Sequence, residues 1–175
     1  MSKWNTMFYR KEKGDVVQWV AESDLENMID VSDKITGVNF AVSDTNVSKN
    51  TALTSLDCGR NNIASLNVTG CTALTELWCP TNKLTELELG TNTALTAFCC
   101  NENQLVTLDV TKNTLLSCLY CDANQLTMLD VSKNLALSYL SCESNKLTAL
   151  DLTNNVELRT LECDSAVVVS GWSSN

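Results

Sequence analysis

The chain has 175 residues, a net charge of -9, 6% aromatic residues and no histidine. The carboxylate excess disfavours nucleic acid as a partner, because phosphate binding draws on clustered Lys and Arg, and no apolar run reaches the roughly 18 residues that spanning a membrane requires. Without histidine there is no Ser-His or Cys-His pair, and no phosphate loop or dinucleotide fingerprint occurs, so the chain is expected to be no enzyme and to hold no catalytic residue.

The amino terminus, MSKWNTMFYRKEKG, lacks the apolar core of a secretion signal. It fits a cytoplasmic product, or a cell-surface or secreted one whose signal has been removed; the location stays open. Met7, Phe8, Tyr9 and Arg10 and then Val16 to Val20 flank a polar turn from Lys11 to Gly14, which predicts a hairpin. Ser23-Asp24-Leu25-Glu26 is a capping-box sequence, expected to open a short helix to about Asp30. Ile35, Val38 and Phe40 then have the L-x-x-L-x-L spacing, 18 residues ahead of the first full repeat at Leu53, and predict an atypical first coil. Residues 1–40 are thus expected to be an amino-terminal cap of hairpin, short helix and first coil from 35, with an attachment module for a larger assembly as the rival.

From 41 to 164 the chain repeats. Cysteine returns every 21 residues, at Cys58, Cys79, Cys100, Cys121, Cys142 and Cys163. Aliphatic columns keep step with it: Leu53 with Leu74, Leu95, Leu116, Leu137 and Leu158; Leu56 with Leu77, Phe98, Leu119, Leu140 and Leu161. Asn61, Asn82, Asn103, Asn124 and Asn145 form a further column, followed by the columns headed by Ile63, Leu66 and Val68. Such a period describes stacked coils, in which no unit can bury its apolar face alone. After the repeats Ala166 breaks the asparagine column, and Val167, Val168 and Val169 followed by Trp172 predict a closing strand and plug within a carboxy-terminal cap, 165–175.

The stretch Leu53, Leu56, Cys58, Asn61 and Ile63, met five more times, the last with Ala166 in place of asparagine, resembles the leucine-rich repeat, L-x-x-L-x-L-x-x-[N/C]-x-L, with cysteine at the third leucine. The nested half-repeat Leu108, Asp109, Val110, Asn113 is similar to a short bacterial, Bacteroidetes-like subclass. The resemblance implies a β-rich right-handed solenoid with parallel strands on one face and short strands or turns on the other. It also implies relatives that are surface or secreted bacterial proteins recognising proteins or glycans. An intracellular or phage-particle assembly component with the repeats as a spacer, or an immunity-type inhibitor, is the alternative.

Alternation along a strand sends Leu56 and Cys58 inward and Ser55, Asp57 and Gly59 outward. The six cysteines are therefore expected to be core thiols, too parallel for disulfides and too linear for zinc. Cys71 replaces asparagine at the half-repeat turn, and Cys99 and Cys118 take outward positions as candidate reactive thiols. The amides point into turns, where a carboxylate would bury charge. Three outward columns contain Trp78, Tyr120 and Tyr139 with Glu76, Asp122, Glu143 and Glu162, an aromatic patch with an acidic rim of the kind that interfaces favour. These seven are the expected contacts for a protein, or alternatively glycan, partner, on a monomer or a part of a larger assembly. A second ladder, Glu88, Asp109, Asp130 and Asp151, headed by Asn67, is expected to lean on Lys112 and Lys133; it lacks the oxygen count and glycine turn of a calcium site. No metal and no cofactor are expected.

Overall fold

The computed structural model describes residues 43–173 and, ahead of them, three strands. In chain order the strands are β1 (Met7–Tyr9), β2 (Gln18–Val20), β3 (Lys34–Ile35), β4 (Asp44–Asn46), β5 (Ser55–Asp57), β6 (Ser65–Asn67), β7 (Glu76–Trp78), β8 (Ala97–Cys99), β9 (Cys118–Tyr120), β10 (Tyr139–Ser141), β11 (Ala149–Asp151), β12 (Thr160–Glu162) and β13 (Val168–Ser170). No helix occurs among the described residues. The expected hairpin is present as the antiparallel pair β1–β2, with Phe8 opposite Trp19. The capping-box segment lies outside the described residues.

One strand per coil builds a parallel sheet of seven, in the order β12-β10-β9-β8-β7-β5-β3. Its register advances one repeat per strand, so that Leu56, Leu77, Phe98, Leu119, Leu140 and Leu161 stand in line. Strands are short because each coil must turn after three residues to bring its half-repeat to the other side. There the pairs β4–β6 and β11–β13 are also parallel. The core between the two faces is the set of columns read from the repeat. Leu56, Leu77, Phe98, Leu119 and Leu140 have no exposed surface, nor do Cys58, Cys79, Cys100 and Cys121. Each fully buried leucine contributes about 1.5–3 kcal/mol relative to an exposed one.

Both ends modify this pattern. Ile35 pairs with Leu56, and Thr45 with Leu66, so the first coil keeps a spacing of 21 residues in place of the expected 18. Thr45 and Asn50 occupy columns held by leucine and cysteine one coil later, which hides the repeat from an apolar pattern. At the other end Leu161 and Cys163 are only partly buried, so the last member of the thiol row leaves the dry interior that the other five share. Val167, Val169 and Trp172 pack against the core beside β13.

Polar ladders lock the coils. The Asn103 amide donates to the carbonyls of Cys79 at 3.0 Å and Cys100 at 3.0 Å, and its oxygen accepts the Leu84 N–H at 3.0 Å. Asn82, one coil before, and Asn124 and Asn145, one and two coils after, repeat the set. In the half-repeat turn Asn92, Asn113, Asn134 and Asn155 each donate to two carbonyls of the preceding coil. Their own oxygens are buried without a partner among the described residues, and two donated bonds per amide offset that loss. Cys71 fills the same turn and gives its thiol to the Val47 carbonyl. A hydroxyl ladder, not evident from the repeat pattern, runs beside the sheet: Thr75, Thr96, Ser117 and Ser138 each donate to the carbonyl one coil earlier.

Candidate functional site

The outer face of the seven-stranded sheet holds three aromatic residues. Trp78 ends β7, Tyr120 ends β9 and Tyr139 opens β10, all with side chains directed away from the core by strand alternation. Trp78 and Tyr120 share a column two strands apart, so their backbones are about 10 Å apart. Their ring centroids nevertheless lie 6.1 Å from each other, at 37°. Tyr120 and Tyr139, on adjacent strands but in different columns, approach to 4.6 Å at 33°. The three rings make one line across the strands, and aromatic pairs of this kind contribute about 0.5–1.5 kcal/mol beyond burial. All three stay half-buried, with ring surface open to solvent.

The lean of Trp78 and Tyr120 has a cost in accessibility for the residue between them. Cys99 stands in the same column and was expected to be outward and reactive, yet only 6% of it is exposed. Burial pushes its thiol pKa up, with Asp122 and Asp57 adding to the effect and a hydrogen bond from Asn101 opposing it. Alternation assigns Cys99 to the outer face correctly but does not show that neighbouring rings cover it. Cys118 remains half-exposed on that face. Ser55 and Ser141, also outward by column, are covered to 6% and 2% exposure because carboxylates fold over them. Ser55 donates to Glu76 at 3.1 Å.

Acidic side chains surround the rings. Glu76, Glu143 and Glu162 are exposed and Asp122 is half-buried. Asp122 accepts the Glu143 N–H at 3.1 Å. The Ser141 hydroxyl sits between Asp122 and Glu162, the latter at 3.0 Å, and has one proton for two carboxylates. Tyr139 hydrogen-bonds Glu162. Its phenol pKa is pushed up to about 12, by desolvation first and then by that carboxylate, so it stays protonated at any physiological pH. The seven expected contact residues therefore lie on one face. Tyr120, Tyr139, Asp122, Glu143 and Glu162 group on the β9–β10–β12 side, with Trp78 joined through Tyr120 and Glu76 beyond it on β7.

The half-repeat face is built differently. Asp109, Asp130 and Asp151 each accept the backbone N–H two residues on, at 2.9, 2.9 and 3.0 Å, and Asp109 and Asp151 also take the hydroxyl of Thr111 and Thr153 at 2.6 Å. These bonds hold all three carboxyl groups below the usual carboxylate value. The expected help from Lys112 and Lys133 is the smaller contribution. The ladder is turn chemistry: Asn67 makes the same bonds with Thr69. A shallow depression lined by Asn67, Glu86 and Glu88 lies on this face and holds no aromatic side chain.

No protein-family model matches the chain, and no curated protein does. Solved structures do. The functional domain of InlJ from Listeria monocytogenes, which includes a cysteine ladder, is 31% identical over 69% of this chain and 36% of its own, with a TM-score of 0.57. A leucine-rich repeat protein of Leptospira interrogans is 26% identical over 71% of this chain and 34% of its own, with a TM-score of 0.65. Internalin C2 from Listeria monocytogenes, 19% identical with a TM-score of 0.59, covers 90% of this chain and 87% of its own and shares the fold. The chain spans about a third of the length of the first two. Together with the coil register and the buried thiol row, these likenesses establish the fold as that of a leucine-rich repeat solenoid with a cysteine ladder.

Proposed function

We propose that this chain is a recognition module that binds another protein through the outer face of its seven-stranded sheet. The observation that carries the reading is the gathering of Trp78, Tyr120 and Tyr139 into one line. Rings needed only to fill a pleated surface have no reason to converge across three coils on a protein with 6% aromatics. Aromatic anchors inside a polar rim supply contact area with little loss of conformational freedom on binding. The likeness to internalin domains supports a binding scaffold in general, and the identity of the partner is separate from that likeness.

The test uses wild-type protein and the triple variant Trp78→Ala, Tyr120→Ala, Tyr139→Ala as baits for a displayed library of protein fragments. Ligands enriched by the wild type are expected to lose at least about tenfold in affinity for the variant. Circular dichroism of the two should coincide, since these side chains lie outside the core. Retention of every enriched ligand by the variant overturns the reading and leaves the solenoid as a spacer.

A further inference from the structure

We propose that the occupant of this face is a cationic polypeptide segment, whose Arg and Lys side chains meet the carboxylates around the aromatic line. The proposal rests on the reading of the face as a recognition surface and adds the chemistry of the partner.

From β5 to β12 the three outward columns contain Asp57, Glu76, Asp122, Glu143, Glu162 and Asp164 and neither lysine nor arginine; Lys34, in register with Ser55, stands on the far edge strand β3. Arg60 and Arg159 stand one position outside the columns, at opposite margins of the sheet face. Four of the six acids, Asp122, Glu143, Glu162 and Asp164, follow one another on the β9, β10 and β12 coils, where successive strands are about 4.8 Å apart. The fold uses part of this concentration, since Asp122 accepts the Glu143 N–H and Asp164 those of Ser144 and Asn145. Glu143, by contrast, has no hydrogen-bonding partner for its carboxylate among the described residues. Glu162, which also takes the Tyr139 hydroxyl, and Asp122 share the single Ser141 proton, and the exposed Glu162 carboxylate keeps further acceptor positions. Like charges held this close repel until a cation is placed among them.

The rings favour the same partner. An arginine guanidinium stacks on an aromatic face while its donors fork onto an adjacent carboxylate, and Tyr120 and Tyr139 stand beside Asp122 and Glu162 in that relation. A neutral oligosaccharide would use the rings and leave the acids without a role. An anionic partner would be repelled.

The probes are a labelled nonapeptide of alternating arginine and glycine, its glutamate counterpart, and a neutral cello-oligosaccharide. Peptide affinity is read by fluorescence anisotropy at about 50 and 300 mM NaCl, and sugar binding by calorimetry. Wild type is expected to bind the arginine peptide alone, about tenfold more weakly at the higher salt. Glu143→Gln with Glu162→Gln, which keeps the Asp122–Ser141 bond, should lose about tenfold, while the control Asp109→Asn with Asp130→Asn, equal in charge change on the opposite face, should lose less than about twofold. Equal losses in the two variants would reduce the effect to net charge and overturn the proposal, as would preference for the sugar or the glutamate peptide. If library ligands depend on the three rings and not on Glu143 and Glu162, recognition stands and the cationic partner falls. If they depend on neither, both fall.

Discussion

At the scale of single residues, the most informative backbone feature is a left-handed position in each coil. Arg60, Thr81, Glu102, Ala123 and Ser144 have φ between 50° and 58° although none is glycine. Each residue of this kind costs about 1–2 kcal/mol. The coil-to-coil ladder holds them there: the N–H of Arg60, Thr81, Glu102 and Ala123 donates to the carbonyl of Pro80, Asn101, Asp122 and Glu143 respectively, at 2.8 to 3.0 Å. Thr81 is the worst placed, because branching at Cβ adds to the clash. Thr81→Gly is expected to raise stability by about 0.5–1 kcal/mol, the relief of strain exceeding the added freedom of the unfolded chain and the loss of an exposed bond to Glu102. The same change at Thr107, whose φ is not positive, should lower stability by up to about 1 kcal/mol, and urea melts of the two variants measure the difference.

At the scale of elements, the period made the faces legible and left the tilt of side chains unread. Columns followed from counting, because a one-residue slip in a parallel stack would turn every leucine outward. Convergence of Trp78 on Tyr120 over Cys99 depends on which rotamers the neighbours leave open, and periodicity has no information on that. The first coil lies three residues away from the register that Ile35, Val38 and Phe40 suggest, because those residues satisfy the spacing while Thr45 and Asn50 disguise the true columns. The aspartate ladder is visible as a column, but its main stabilisers are the turn's own N–H and hydroxyl groups, which a column does not display, and the lysines three residues on contribute less. That difference has a pH consequence. The folded pKa values of Asp109, Asp130 and Asp151 are depressed from 3.8, so their stabilisation is complete above the unfolded value and is lost as pH falls through the folded values. Asn67 shows that an amide supports the same turn. The triple variant Asp109→Asn, Asp130→Asn, Asp151→Asn should therefore keep its melting temperature at neutral pH and lose less than the wild type as the pH is lowered below about 4.

For the whole molecule, stability is a sum of coils and of the contacts between neighbouring coils. Hydrogen bonds span about one repeat: the asparagine amides reach 24 residues back, and the hydroxyl ladder 21. A deletion is then tolerated only when it removes whole periods. Excising residues 95–115 joins Ala94 to Leu116 and places β9 beside β7, so that Leu119 takes the position of Phe98 and Asn124 that of Asn103. Every ladder closes again, and the shortened chain should melt cooperatively, with a lower urea m-value in proportion to the surface one coil contributes. Excising only 95–104 would set Leu105 against the first-leucine column and break the asparagine, thiol and hydroxyl ladders together, and this chain should lose cooperative melting. The full-coil deletion also removes Cys99 and brings Trp78 next to Tyr120 on adjacent strands, which shortens the aromatic line while keeping Asp122, Glu143 and Glu162 in order. A cooperative melt for both deletions would show that neighbouring coils do not depend on register, and the assignment of the outer face would lose its basis.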